Sequence, residues 1–259
     1  MIFKAKLLKN PKVIKDYFSI QSKQYSQYRP NYPDKLYRYL LSECRDRKLA
    51  WDAGTGNGQA AKKLSIYFEQ VYATDISNYQ ILNSFPEPKI TYAVANEQVP
   101  SLKKRSVDLI TVAQSLHWFD TEIFYSEAKR ILKRYGLIAC WCYCGFSIDE
   151  KLNQEINWIY SDFLKGFWPP ERRLVETGYR TLSFPFRELR APKFEIKLVW
   201  SFKNMIGYIS SLSAVVNFKN RKGYDPISKN LKRLKLAWGD LEEVKEVKWS
   251  ISLRAGHLL

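Results

Sequence analysis

The sequence predicts an α/β protein built on a doubly wound, mostly parallel sheet with helices on both faces. The first observation is an alternation of short apolar runs with amphipathic helical runs from about residue 33 to residue 145, the pattern of parallel strands joined by crossover helices. The second is the segment LAWDAGTGNGQAAKKL at 49–64, which joins a strand to a helix through three alternate glycines. Ligands of such sheets bind at the carboxyl ends of the strands, so this loop is the first candidate site.

Each element in this half of the chain follows from the spacing of its apolar residues. Helical spacing begins after Asp34 and again after the glycine loop, and the runs between are short enough for buried strands. The clearest helix lies at 119–136, where Asp120 can cap the start and the basic end suits the helix dipole. We expect Gly136 to end it. The predicted order is helix, strand, helix, strand, strand, helix and strand over residues 35–44, 49–53, 60–68, 70–77, 106–115, 119–136 and 137–144.

Beyond residue 146 the pattern is less regular. Residues 150–179 have helical character broken by two adjacent prolines, and a second helical stretch covers 204–238. Two strand-like runs, 194–202 and 246–254, are expected to form the far edge of the sheet. We predict one domain over residues 1–259, divided into an N-terminal lid, a core, a helical cap, and C-terminal strands with cap helices at 1–33, 34–146, 147–190 and 191–259.

Composition narrows the class of protein. The chain has 259 residues, of which 46% are hydrophobic and 26% charged, as is typical of a folded globular protein. No apolar stretch approaches the roughly 18–20 residues of a membrane helix, and the start carries no recognisable secretory signal, so we expect a cytoplasmic protein. The net charge of +16 suits an acidic partner such as nucleic acid. Because the basic residues are spread over the whole chain, RNA binding is an alternative and not the favoured prediction.

Three cysteines alternate in CWCYC, at Cys140, Cys142 and Cys144. On a strand they share one face, which places three thiolates badly for a tetrahedral metal ion, and no CxxC pair accompanies them. Neighbours that point the same way cannot form a disulfide, and Cys44 stands alone. We therefore predict small buried side chains here, with no metal site and no disulfide.

The glycine loop restricts the class of ligand. A glycine-rich turn from strand to helix lets backbone N–H groups approach a ligand closely. The loop lacks the Gly-Lys-Ser/Thr ending of a Walker loop, and its G-x-G-x-G spacing differs from the G-x-G-x-x-G of dinucleotide folds. Asp52 precedes the first glycine, and Asp75 ends the next predicted strand about twenty residues on, where an acid suits a pair of ribose hydroxyls. A tight turn explains the glycines alone, but glycines and acids together favour a ligand.

These motifs resemble the class I S-adenosylmethionine-dependent methyltransferases. The resemblance rests on WDAGTGNGQ, VYATDIS, ANEQVP and SVDLITVAQSLHWFD, at residues 51–59, 71–77, 95–100 and 106–120. A closer likeness to the trans-aconitate and cantharidin methyltransferase group of the type 11 family rests on YSQYRPNYPDKLYRYL, GYRTLSFPF and WGD, at residues 25–40, 178–186 and 238–240. The resemblance implies a Rossmann-like sheet of seven strands with helical cap insertions. It also implies S-adenosylmethionine as methyl donor and S-adenosylhomocysteine as product.

The resemblance further implies roles for individual residues. Gly54, Gly56 and Gly58 would admit the methionine end of the cofactor. Asp52 would order this loop and the cofactor's amino group, and Asp75 would accept hydrogen bonds from both ribose hydroxyls. The other implied cofactor contacts are Ile76 next to Asp75, Asn96 and Glu97 at the adenine, Gln114 near the sulfonium, and Arg29 at the cofactor's carboxylate.

The acceptor side is predicted from the chemistry of methyl transfer. Displacement at a sulfonium depends mainly on alignment, and a carboxylate acceptor needs no base, whereas a hydroxyl, amine or carbon acid does. His117 and Trp118 follow a strand end, and we expect them to serve as acceptor contacts, with His117 the candidate base. The resemblance favours O-methylation of a small carboxylic acid, for which the cap offers Arg172, Arg173 and Arg180.

Two other functions stay open. An RNA-directed methyltransferase would use the basic surface, but the Asn/Asp-Pro-Pro-aromatic motif of amino-group nucleic-acid methyltransferases is absent, and VAQS stands in its place at 112–115. The second alternative is a scaffold that binds the cofactor without catalysis. The intact glycine loop and Asp75 argue against lost binding but not against lost chemistry.

Overall fold

One sheet organises the protein. The computed structural model describes residues 28–96 and 101–258, and within them eight strands form a single sheet. The strands are β1 (Leu49–Ala53), β2 (Gln70–Asp75), β3 (Ile90–Val94), β4 (Val107–Ala113), β5 (Leu132–Tyr143), β6 (Arg187–Glu188), β7 (Phe194–Ser201) and β8 (Val244–His257). Their order is β3-β2-β1-β4-β5-β8-β6, and β7 also pairs with β8.

The outer position beside β8 is shared by two strands. The two-residue β6 pairs with β8 at His257, and β7 pairs with it from Ile251 to Val244. The sheet is therefore seven strands wide although it contains eight. Strands β1 to β5 pair in parallel, and β8 runs antiparallel to β5. The predicted Rossmann-like, mostly parallel sheet of seven strands is confirmed, while β3 and β6 had no predicted counterpart.

Strand β1 marks the point where the chain reverses its direction across the sheet. Strands β2 and β3 lie on one side of β1, and β4 and β5 lie on the other. Residues 107–112 of β4 are all buried, as expected for a central parallel strand with both faces covered. A crevice opens at the carboxyl ends of strands at such a reversal, and the glycine loop begins there.

Alternate residues of the central strands contribute to two hydrophobic cores, one on each face of the sheet. Ala50 and Trp141 belong to the first core, whereas Trp51, Cys140 and Cys142 belong to the second. Both cysteines are fully buried, whereas Cys144, which was also predicted to be buried, is only partly buried. Within the described residues, no group of three His, Cys, Asp or Glu side chains is placed to hold a metal ion.

Nine α-helices cover the sheet and the site within the part of the chain that the structure describes. They are α1 (Asp34–Glu43), α2 (Gln59–Leu64), α3 (Asn78–Leu82), α4 (Thr121–Ile131), α5 (Glu150–Trp158), α6 (Arg172–Glu176), α7 (Phe202–Ser210), α8 (Ser213–Lys222) and α9 (Pro226–Trp238). None of the described helices is long and apolar enough to cross a bilayer.

The predicted helical stretch 204–238 is divided into α7, α8 and α9. Helix α8 is capped at its C-terminus by Gly223, whose φ of +76° lies in the left-handed region that favours glycine. Asp225 then caps α9 by accepting a hydrogen bond from the N–H of Ile227, with Pro226 in the first turn. The predicted lid at 1–33 is described only from Tyr28 onward, and its first 27 residues lie outside the described residues.

Helix α4 ends earlier than Gly136, so the predicted end of this helix is wrong. Its last residue is Ile131, and Leu132 already has an extended backbone with ψ of 137°. The reason is pairing within the sheet, because Leu132 opens β5 opposite Val107 and is fully buried. Gly136 lies inside β5.

Candidate active site

A cavity of about 350 Å³ opens beyond the carboxyl ends of β1, β2 and β4, a size typical of small-molecule sites. We call the lining from the loops after these three strands the sheet wall. A second part of the lining comes from helices and turns outside the parallel strands. We call this second part the cap wall, and its residues are Tyr160, Trp168, Arg172 and Tyr208.

The three glycines of the loop have different roles, although all have positive φ. A Cβ atom on Gly54 would lie 2.5 Å from the Ser115 Oγ, and one on Gly58 would lie 2.2 Å from the Tyr92 hydroxyl oxygen. These two glycines therefore allow neighbouring parts of the protein to pack closely. Gly56 has nothing within 4 Å of that position and lines the cavity, so its backbone is open to a ligand.

Asp52 lies behind the glycine loop. Its side chain accepts hydrogen bonds from the hydroxyls of Thr55 at 2.5 Å and Thr111 at 2.6 Å, and it is fully buried. Burial raises the pKa of this carboxyl to about 6, although the threonine hydrogen bonds act in the opposite direction. The position of Asp52 is that of a residue that orders the loop from within, without a place in the cavity lining.

Asp75 ends β2 at the cavity. One carboxylate oxygen accepts a hydrogen bond from the backbone N–H of Gly56 at 2.8 Å, and the other accepts one from the N–H of Ser77 at 2.9 Å. The carboxylate thus joins two strand ends that are adjacent in the sheet. Ile76 also lines the cavity and is 53% exposed.

Gln114 forms part of the floor. It has a φ of +60°, which is uncommon for a residue other than glycine. Its side-chain amide donates to the Tyr143 carbonyl oxygen and accepts from the Tyr143 N–H, both at 2.9 Å. The glutamine side chain therefore extends the pairing of β4 with β5 past the end of the strand.

His117 and Trp118 lie in a single turn of 3₁₀ helix after β4, and both line the cavity. The Nδ1 atom of His117 is 3.1 Å from the hydroxyl oxygen of Tyr179. Burial lowers the pKa of the imidazole to about 4, because a charged ring loses hydration there. The ring is therefore neutral at pH 7.

The cap wall places one arginine at the cavity. The guanidinium of Arg172 stacks over Trp168, 3.4 Å from the ring centroid. Its Nε donates to Glu176 at 2.8 Å, and its Nη2 donates to the Cys144 sulfur at 3.5 Å. Arg29 reaches the same part of the cavity and lies 5.1 Å from the centroid of the Tyr208 ring.

Most of the predicted site residues lie together. Those in the cavity lining are Arg29, Gly54, Gly56, Asp75, Ile76, Gln114, His117 and Trp118. Asp52, Gly58 and Asn96 are described but are not part of the lining, and Glu97 lies outside the described residues.

Among the arginines expected at the acceptor, Arg172 lines the cavity, whereas Arg173 and Arg180 are exposed. No pattern in the sequence pointed to Tyr160, Trp168 or Tyr208. They belong to irregular or amphipathic segments in which aromatic residues are common.

Comparison with known proteins identifies the family. The profile of the methyltransferase domain, type 11, matches residues 51–140. A methyltransferase-family protein of Dictyostelium discoideum is 33% identical over 212 residues, covering 80% of this chain and 81% of that protein. The solved structure of a type II methyltransferase-family protein from Anaeromyxobacter dehalogenans is 39% identical and has a TM-score of 0.84, over 89% of this chain and 98% of that one. The chain belongs to the methyltransferase family.

The sheet wall of this methyltransferase fits the cofactor of its family, S-adenosylmethionine. Gly56 leaves open space where a side chain would stand, and the Asp75 carboxylate at the cavity can accept hydrogen bonds from hydroxyl groups. When bound, this cofactor supplies a methyl group activated by a sulfonium. The tasks left to the protein are to bind, to orient the acceptor and to exclude water.

Proposed function

We propose that this methyltransferase transfers the methyl group of S-adenosylmethionine to a carboxylate oxygen of a small organic acid. The observation that carries the proposal is the fixed guanidinium of Arg172 in the cap wall, which lines the same cavity as the glycine loop. A planar guanidinium matches the geometry of a carboxylate.

The contacts of Arg172 hold it ready for an anion. Stacking on Trp168 fixes the plane of the guanidinium, and Glu176 and Cys144 hold two of its nitrogens. The side chain is only 19% exposed, whereas Glu176 is 52% exposed. Solvent therefore screens the glutamate more than the arginine, and the remaining N–H donors of Arg172 suit a second carboxylate.

Tyr160 supports the same end of the cavity. Its hydroxyl oxygen is buried and has no hydrogen-bond partner among the described residues, and its ring lines the cavity 5.7 Å from the Arg172 guanidinium carbon. A buried hydroxyl without a partner is uncommon in a native protein. A small turn of the phenol toward an acceptor carboxylate beside Arg172 would give this hydroxyl the hydrogen-bond acceptor that it lacks.

A carboxylate also suits the chemistry of the site. A lone pair on the carboxylate oxygen forms the new bond to the methyl carbon while the carbon–sulfur bond breaks, and its electron pair stays on sulfur. An ester and a neutral thioether result, and no proton is transferred. The neutral imidazole of His117 is not required as a base in this reaction.

The test is methyl transfer from radiolabelled S-adenosylmethionine to a panel of small carboxylic acids, with total RNA as a separate acceptor. We expect base-labile methyl esters of one or more acids. Labelled RNA would favour the alternative that uses the basic surface. Binding of the cofactor, measured by calorimetry, without transfer to any acceptor would favour a non-catalytic scaffold.

The arginine is tested by the substitution Arg172→Met, with Arg173→Met as its matched control on the same helix. Loss of a charged hydrogen-bond donor is worth roughly 3 kcal/mol, so we expect kcat/KM for the acid to fall about 100-fold. Arg173 is exposed, and its substitution should leave kcat/KM unchanged. Equal activity of the two variants would contradict the assignment of Arg172.

A further inference from the structure

Tyr179 is a buried polar residue with an unusual backbone beside the site. Its side chain is fully buried, and its φ of +62° lies in the left-handed region, which a tyrosine rarely occupies. Its hydroxyl oxygen is 3.1 Å from Nδ1 of His117, and the two rings stack with centroids 6.2 Å apart. A strained residue aimed at a site residue suggests a function for the strain.

The backbone of Tyr179 is held from several sides. Its N–H donates to the Leu174 carbonyl at 2.9 Å, and its own carbonyl accepts from Arg254 at 3.0 Å. Arg254 is in turn fixed by two hydrogen bonds to the Glu188 carboxylate. A Cβ atom on the preceding Gly178 would lie 2.4 Å from the Ser252 Oγ, so this turn is pressed against β8.

The hydroxyl of Tyr179 needs an acceptor for its proton. Burial raises the pKa of this phenol well above its ordinary value, so the proton stays on the oxygen. The nearby thiol of Cys142 donates to the Val175 carbonyl at 3.7 Å, and sulfur is a weak acceptor. Nδ1 of His117 is the strong acceptor within reach. If Nδ1 carried a proton instead, the buried phenol would lose that acceptor.

We infer that Tyr179 holds His117 in the tautomer protonated on Nε2, so that the imidazole presents a hydrogen-bond donor, and not a base, to the acceptor in the cavity. Tyr179 is then a positioning residue, and His117 is the group that contacts the acceptor. This inference deepens the proposed function and rests on it for the identity of the acceptor. It restricts acceptors to groups already ionised in water, such as a carboxylate, because a hydroxyl or amine would find no base at this position.

The chain offers its own reference for the test. It has two histidines, and Nδ1 of His257 lies 3.0 Å from the carbonyl oxygen of Tyr135. A carbonyl oxygen only accepts hydrogen bonds, and it lies closer to Nδ1 than the Glu43 carboxylate, at 3.6 Å, lies to Nε2, so we expect neutral His257 to carry its proton on Nδ1. The two histidines of one protein are therefore expected in opposite tautomers.

The experiment is nitrogen-15 NMR of the imidazoles in the wild-type protein of 259 residues at about pH 8.5, about two pH units above the ordinary pKa of an imidazole. The substitution His257→Gln assigns the two sets of signals. We expect His117 protonated on Nε2 and His257 on Nδ1. An Nδ1 proton on His117, or an even mixture of its tautomers, would overturn the inference. This spectrum needs no substrate, so it determines the tautomer of His117 even if the proposed function is wrong.

The role of the hydroxyl is tested by Tyr179→Phe, with Tyr125→Phe as the matched control. Tyr125 lies in the same core with a buried hydroxyl that has no hydrogen-bond partner among the described residues. We expect only Tyr179→Phe to mix the tautomers of His117 and to raise KM for the acid several-fold, with unchanged affinity for S-adenosylmethionine. Mixed tautomers with a wild-type KM would overturn the donor role. If Tyr179→Phe does not fold, the wild-type spectrum decides the tautomer.

Discussion

The sheet wall and the cap wall of the cavity are built by different means. In the sheet wall, backbone groups and strand ends fix each side chain, as when Gly56 and Ser77 hold the Asp75 carboxylate and Tyr143 holds Gln114. In the cap wall, Tyr160 lies in a five-residue π turn (Ile159–Phe163), Arg172 in the five-residue helix α6 and Tyr208 in α7. The part of the cavity that fits the cofactor is thus built into the sheet, whereas the acceptor recognition that we propose for the cap wall depends on side chains that can change without altering the sheet.

The substitution Asp75→Ala is expected to have the largest effect, because it removes the carboxylate that joins two strand ends. Each hydrogen bond to a charged group contributes about 1.5–3 kcal/mol, so the Kd for S-adenosylmethionine should rise about 100-fold or more. Calorimetric titration measures this, with exposed Asp46→Ala as the control. A variant that binds the cofactor normally would remove Asp75 from the site.

Substitutions of Gly54 and Gly56 are expected to differ in their effects on stability and on cofactor binding. Gly54→Ala should lower the free energy of unfolding by about 3 kcal/mol, since it combines a strained φ with a close contact to Ser115. Gly56→Ala meets open space, so its effect on stability should be about 1 kcal/mol, with weaker cofactor binding. Urea denaturation and calorimetry of both variants measure the difference. A reversed order of stability would contradict the contacts described for Gly54.

Asp52 makes the free energy of unfolding depend on pH. Its pKa is raised from 3.8 to about 6 in the folded protein, so the folded state holds a proton that the unfolded state has released between these values. Stability contributed by Asp52 is therefore present below about pH 4 and is lost as pH rises through 6, by about 3 kcal/mol. Asp52→Asn should reduce this slope in urea denaturation between pH 4 and 7. An unchanged slope would show that Asp52 is ionised throughout.

The smallest effect is expected from Tyr160→Phe in the cap wall. Its hydroxyl has no partner among the described residues, so its removal should change the free energy of unfolding by no more than about 1 kcal/mol. KM for the acid should still rise several-fold, because an acceptor contact is lost. Steady-state kinetics and thermal denaturation measure both quantities. A large loss of stability with an unchanged KM would place Tyr160 in the core and not in the acceptor site.

The sheet wall was predictable because its residues lie at strand ends that local patterns reveal. Parallel pairing of β1 with β2, with Ala53 opposite Thr74, brings the glycine loop to Asp75 once the strands are recognised. Of the cap wall, only Arg172 was named from the sequence, and its contacts were not predictable in this way. Arg172 is separated from Cys144 by 28 residues and His117 from Tyr179 by 62, and no periodic pattern connects these positions.

The ends of elements were also decided by tertiary pairing. The basic run after Ile131 has helical character, yet Leu132 begins β5 because it pairs with Val107 in the interior of the sheet. The short β6 has two residues, too few for any alternation to be recognised. Local sequence preference gives way at these positions to burial and to hydrogen bonds between strands.

Strand β8 follows β6 and β7 in sequence but lies between them and β5. During synthesis on the ribosome, β5 therefore emerges long before its neighbour, and its edge stays without hydrogen-bond partners along residues 137–143. That edge is apolar, with Cys140 and Trp141 fully buried in the finished protein. An open apolar edge invites pairing with other chains, so the nascent chain is exposed to mispairing at β5 until β8 inserts.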